Sequence, residues 1–407
     1  MEDSSSRRHW TATSVPNIVS SGLALLAALW ACELVAAPSV STLALPNGCE
    51  IARDITHIPR VAAGTAPAFP PMQLEIRTPV APTAFRAGGY RYLVYELQLS
   101  NYSDGPLPVT GIDVLASADA EDRALLTLSG PRLYDRLSPI GGGKIDHEHP
   151  LEAGRSVTAY LCVAFAHDAR VPARLRHRVL LSGVAATGPT VVVGHHPVRV
   201  LASPVQGAHW IADNALALDR HHRPGLFVAG GSAQISRRYA IDWKRRIEGE
   251  FQSGDPLDVR SYHAYAQPVY AVADATVVRA RDGLPDNVPR TPAGFTPAVP
   301  LSMETLAGNT VVLDLGGGQF AHYAHLQPRS VSVQAGQRVR RGQPLGRIGN
   351  SGDARWPHLH FQVSTGADIM DSEGLPFAIE RFGAKDGAGG WTDRAREFPL
   401  GDGELRF

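Results

Sequence analysis

Pro357-His-Leu-His-Phe361 places two imidazoles one residue apart. Side chains of an extended strand alternate, so His358 and His360 share one face while Leu359 faces the other way. Two histidines on one face suit metal binding or proton transfer. A second constellation is Tyr323-Ala-His-Leu326, at the end of a segment that also holds His322. Alternation puts Ala321, Tyr323 and His325 on one face and His322 on the other, so only one of these histidines can line a cleft. We choose His325, because its face would offer a hydroxyl and an imidazole together near a polarised carbonyl. The third is Asp242, in Arg237-Arg-Tyr-Ala-Ile-Asp242-Trp243. A carboxylate in so apolar a stretch is costly to bury without a cation. Asp242 with imidazoles makes the mixed oxygen and nitrogen donor set that suits Zn²⁺, with a fourth position left for a water acidified to a nucleophile near neutral pH.

The segments that must position these residues read as short strands. Gly 40 and Pro 31 against 19% charged residues favour tight turns over long exposed helices. Leu93, Tyr95, Leu97 and Leu99 alternate, as do Val157, Ala159, Leu161, Val163 and Phe165, and turn signals separate them at Asn101-Tyr-Ser-Asp-Gly105 and Gly141-Gly-Gly143. Further on, Tyr265 to Val278 predicts two strands around Ala273-Asp-Ala275, and Asn309 to Leu326 a hairpin across Gly316-Gly-Gly318. Residues 282–302 carry Pro285, Pro289, Pro292, Pro297 and Pro300, too many for a central strand, and are expected to form one wall of a cleft.

With 407 residues, two domains are expected. The predicted organisation is a targeting segment (1–45), a Pro-rich linker (46–72), an immunoglobulin-like β-sandwich (73–200), a linker (201–218), a groove-forming antiparallel β-sheet domain (219–385) and a C-terminal tail (386–407). Arg7 and Arg8 before the apolar run Leu23 to Cys32 read as an export signal, and Glu33 stops that run short of a membrane span. Localisation in the cell envelope, the periplasm or the medium follows, with the N-terminus a candidate membrane anchor. If Cys32 is removed or lipidated, Cys49 and Cys162 are left either to pair or to remain two thiols. Lys+Arg and Asp+Glu both number 39, which removes any global electrostatic case for a nucleic-acid partner. Oligomeric state is not legible.

Ile241-Asp242, Tyr265 to Asp274, Gly308-Asn-Thr-Val-Val312, Tyr323-Ala-His-Leu326, Val339-Arg-Arg-Gly-Gln343 and His358-Leu-His-Phe361 together resemble the ordered blocks of the lysostaphin/LytM-type zinc endopeptidases. The resemblance covers roughly residues 219–380. It implies an all-β fold with a sheet-lined groove, one catalytic Zn²⁺, and hydrolysis of peptide cross-links in bacterial peptidoglycan. By position it makes Asp242 and His360 zinc ligands and His325 and His358 the histidines that activate water and stabilise the oxyanion. Tyr323 and Asn309 become candidate substrate contacts.

One position departs from the pattern. The family's first zinc histidine stands four residues before the aspartate, where this chain has Arg238. A guanidinium has no free lone pair to offer a metal. His221-His222 lies one loop upstream, with His222 preferred over His221, and His263 is a third candidate. The alternative is a catalytically silent groove that binds and regulates another cell-wall hydrolase.

Overall fold

The computed structural model describes residues 42–54, 71–118, 121–194, 198–385, 389–401 and 403–407. The apolar run ending at Cys32 and most of the Pro-rich segment lie outside them. The regular secondary structure of the described residues is almost wholly β-strand.

The alternation read in the first half becomes a central antiparallel pair, Tyr90–Asn101 against Ser156–Ala166. Its register sets Leu93 opposite Val163, Tyr95 opposite Leu161, Leu97 opposite Ala159 and Leu99 opposite Val157. That face packs on a second sheet carrying Ile112, Val114, Leu175 and Val179, so two sheets enclose one apolar cluster. Each aliphatic side chain buried this way contributes roughly 1.5–3 kcal/mol. The opposite face of the same pair, Tyr92, Val94, Cys162 and Ala164, is also buried, against residues of the second half that include Tyr239, Ile241 and Phe398. Both faces being covered, these strands have no solvent side. Cys49 and Cys162 are joined in a disulfide.

The second half is dominated by an eleven-stranded sheet. At its centre, Ile241–Arg245 pairs with Leu359–Ser364, which pairs with Phe320–Leu326, which forms the expected hairpin with Asn309–Asp314. The two strands expected around Ala273-Asp-Ala275 exist, as Pro268–Tyr270 and Ala275–Arg281, but they do not pair together: the first joins Pro344–Arg347 and the second joins Asn309–Asp314. Residues 282–302 contain no strand, as their prolines require.

Two segments expected to connect or trail are sheet elements instead. Trp210–Asp213, within the expected linker, pairs with Ile241–Arg245. In the expected tail, Trp391–Glu397 and Glu404–Arg406 both pair with Phe377–Lys385. These strands are short, and their buried residues (Trp210, Ile211, Leu405) find cover only in tertiary context.

Candidate active site

Asp242 and His360 face each other across neighbouring strands, in register. His360 Nδ1 lies 3.0 Å from Asp242 Oδ1. The same oxygen lies 3.4 Å from His222 Nε2 and 3.4 Å from His358 Nε2. Three imidazole nitrogens therefore converge on one carboxylate oxygen. Asn214, held at a φ of 62° that asparagine tolerates, donates to the other oxygen, Oδ2, at 2.6 Å. Burial opposes the Asp242 charge, yet the surrounding imidazoles, His222 foremost, outweigh it and hold the carboxyl well below the usual carboxylate range.

His222 arrives on the irregular segment between Trp210–Asp213 and Phe227–Ala229. It is 1% exposed, and its Nδ1 lies 3.1 Å from the Ala240 carbonyl. A proton on Nδ1 donated to that carbonyl leaves the Nε2 lone pair toward Asp242. His360 has the mirror arrangement: Nε2 faces Gln362 Oε1 at 2.9 Å, and Nδ1 is left for the cleft. Orientation of a ligand imidazole through its second nitrogen is what metal sites require. His221, exposed, brings its ring close enough that ligand atoms of His221, His222 and Asp242 lie within 4.8 Å of one another. The buried, oriented imidazole is that of His222.

His325 and His358 stand on the other side, ring centroids 4.9 Å apart. His325 Nδ1 lies 2.9 Å from the Ser351 carbonyl, and His358 Nδ1 lies 2.6 Å from that of Trp356. Each ring can thus donate from Nδ1 and keep Nε2 as an acceptor. Burial holds His325 well below the ordinary imidazole value, which keeps it neutral. Ser351 is brought into place by Gly308 (φ 65°): a Cβ there would sit 2.4 Å from Ser351 Oγ, so only glycine permits the approach.

His325 reaches the cleft by a route that alternation does not give. Its φ is +64°, and the ladder with Asn309–Asp314 is irregular between Asn309 and Val311. The side chain leaves the face of Tyr323. Tyr323 is fully buried with its hydroxyl accepting from the Val272 amide at 2.9 Å, and Asn309, also fully buried, bonds Leu284 and Leu326. Both candidate substrate contacts are corrected: these two side chains serve the core and the loop connection. His322 lies opposite Gln362, on the same face as His360, but is buried against Ser364 and Gly366 and does not line the cleft.

Arg238 falls on a turn before Ile241–Arg245, not on the strand. Its guanidinium points away from Asp242, donating to Glu96 Oε2 from Nε at 3.0 Å and Nη2 at 2.8 Å, and to Glu373 from Nη1 at 2.9 Å. Burial opposes its charge, but Glu96 and Glu373 more than compensate.

Asn214, His221, His222, Asp242, His325, His358 and His360 line a cleft of 510 Å³, from which Arg238 is absent. Its walls carry Arg237, Lys244, Arg290, Arg355 and Trp356, which sequence reading missed; His263 does not line it. Arg290 comes from the proline-dense loop, whose role as a wall was legible. Lys244 is paired with Asp213 and Arg355 with Asp353. Arg237 is partly buried and its Nε has no hydrogen-bond partner. Gln362 did have a signal, since it follows His358 and His360 at the same spacing.

Residues 258–372 match the model of Peptidase family M23. That stretch contains His325, His358 and His360 but not His222 or Asp242. Among curated proteins, the peptidoglycan DD-endopeptidase ShyA of Vibrio cholerae is 30% identical over 145 residues, 35% of this chain and 31% of that protein. The cell division protein DipM of Caulobacter vibrioides is 26% identical over 125 residues, 31% of this chain and 17% of that protein. The chain thus spans less than a third of the length of each of these relatives. Of the solved structures, the catalytic domain of lysostaphin from Staphylococcus simulans aligns over 36% of this chain and 80% of its own, at 20% identity and a TM-score of 0.21. A zinc containing peptidase from Vibrio cholerae aligns over 69% and 81%, at 14% identity and a TM-score of 0.21. Over residues 258–372, this chain is similar to the domain that defines peptidase family M23.

Proposed function

We propose that the chain is a zinc-dependent endopeptidase that hydrolyses peptide cross-links of bacterial peptidoglycan in the cell envelope. The observation that carries this reading is the convergence of His222 Nε2 and His360 Nδ1 on Asp242 Oδ1, each imidazole fixed through its other nitrogen. Two neutral imidazoles and a carboxylate are the donor set of a catalytic zinc site with an open position. Zn²⁺ bound there would polarise the scissile carbonyl and acidify a water.

The protein's own share of the chemistry falls to His325 and His358. With their Nδ1 protons held by carbonyls, their Nε2 atoms accept a proton from the attacking water and, once protonated, donate to the developing oxyanion or the leaving amine. Arg237 and Arg290 give the cleft a positive wall suited to the free carboxylates of stem peptides, and Trp356, 44% exposed, gives an apolar edge. Arg238, the main support for a silent regulatory groove, is occupied elsewhere and leaves room for His222.

Zinc content of the purified protein, and release of new amino groups from purified cross-linked sacculi, test the reading together. One zinc per chain with chelator-sensitive cleavage is expected. Stoichiometric zinc with intact sacculi would favour the regulatory groove.

A further inference from the structure

His222 is brought to the cleft by a segment with no strand pairing of its own, so something else must fix it. The next residue, Arg223, points the opposite way. It is fully buried, donating from Nη2 to the Leu161 carbonyl at 2.8 Å and from Nη1 to the Leu216 carbonyl at 3.4 Å. A buried guanidinium held by carbonyls is a costly anchor, and an apolar residue would fill the space more cheaply. Two further bonds hold the same segment: Tyr160 Oη donates to the Pro224 carbonyl at 3.2 Å, and the Leu218 amide donates to the Asn47 carbonyl at 3.1 Å.

The receiving residues are adjacent to the half-cystines. Tyr160 and Leu161 run directly into Cys162, and Asn47 stands two residues before Cys49. The Cys49–Cys162 disulfide therefore joins the two foundations on which the His222 segment rests, across 113 residues of sequence. Between them, Gly48 (φ 84°) packs where a Cβ would lie 2.8 Å from the Leu218 side chain.

Resting on the reading of His222 as a ligand, we propose that Arg223 is a positioning residue for the metal. Through Arg223, Tyr160 and the Cys49–Cys162 link, the first-half sheet forms the base of the zinc site rather than a spacer before it. A ligand on an unanchored segment must be ordered by the metal itself, at the expense of affinity.

The test is competition of the full chain with a chromogenic chelator for Zn²⁺ alone, with thermal melts run in parallel. Arg223→Ala is expected to weaken zinc binding ten- to a hundredfold, the range seen when groups behind metal ligands are removed. Tyr160→Phe, which keeps the ring and loses one bond, is expected to weaken it several-fold, and Cys49→Ala with Cys162→Ala to act in the same direction. In a His222→Ala background, Arg223→Ala should change the residual affinity less than twofold. Equal effects in both backgrounds would assign Arg223 to general stability and overturn the proposal. Unchanged affinity in Arg223→Ala, or in Tyr160→Phe if Arg223→Ala does not fold, would overturn it while leaving the ligand reading intact. Unchanged affinity in His222→Ala alone would remove the ligand reading and the proposal with it.

Discussion

Asp242 and His360 are direct cross-strand partners, and the carboxylate oxygen nearest His360 is also the one that His222 and His358 approach. His360→Ala, Asp242→Ala and His222→Ala are expected to abolish stoichiometric zinc, whereas His358→Ala and His221→Ala keep it. Metal analysis after gel filtration decides. Loss of zinc in His221→Ala with retention in His222→Ala would transfer the ligand to the exposed neighbour.

Gln362 reaches His360 Nε2 at 2.9 Å and takes its other amide bond to the Ile369 carbonyl. Gln362→Leu should leave the fold intact and lower zinc affinity about 10–100-fold. An unaltered dissociation constant would mean that His360 needs no orienting partner.

Arg238 and Glu96 form a buried two-bond pair, so Arg238→Ala leaves a carboxylate uncompensated and should cost about 3–5 kcal/mol of stability. Because position 238 faces Glu96, a histidine placed there should not restore zinc to His222→Ala. Recovery of zinc in that double variant would show that the turn can rearrange into a ligand strand.

Arg237 contributes the cleft guanidinium whose Nε is unpartnered. For peptide substrates bearing a free carboxylate, Arg237→Ala should raise KM roughly tenfold with kcat little changed, consistent with a loss of about 1.5 kcal/mol for a hydrogen bond to a charged group. Steady-state kinetics on carboxylate and amidated versions of one peptide separate this from a general defect, which would affect both alike.

His177 lies far from the cleft, buried against the Tyr95 hydroxyl at 3.0 Å, and burial pushes its pKa down to about 4. Between that value and the ordinary 6.5, the unfolded chain binds the proton and the folded one does not. The contribution is therefore complete above pH 6.5 and is lost as pH falls toward 4, by roughly 3 kcal/mol at about 1.4 kcal/mol per pKa unit. Urea midpoints measured across that window should fall less steeply in His177→Gln than in the unaltered protein. Parallel profiles would exclude His177 as the source.

The strands that alternate cleanly were legible: Leu93 to Leu99 and Val157 to Phe165 pair in the register their pattern demands. His358 and His360 were legible because strand alternation puts both on one face, and Asp242 because a carboxylate in an apolar stretch calls for compensation. Tyr323 was misassigned because His325 takes a left-handed conformation, which reverses its face and cannot be read from alternation. The ligand role first sought near Arg238 was obscured by a turn that takes this residue off the strand. Asn214 had no signal, since it meets Asp242 only after the Trp210–Asp213 strand is docked.

Glu404–Arg406 lies inside the large sheet, between Phe377–Lys385 and Trp210–Asp213. Trp210–Asp213 borders the Asp242 strand on its other edge. A ribosome that has made every residue of the cleft has therefore not yet supplied the strand that completes its supporting layer. Until Glu404–Arg406 docks, Trp210–Asp213 keeps an unpaired edge, open to pairing with another chain. Assembly of the cleft is in this sense gated by a strand that follows every cleft residue in the sequence, and a nonsense change just before Glu404 should yield aggregation rather than a smaller working protein.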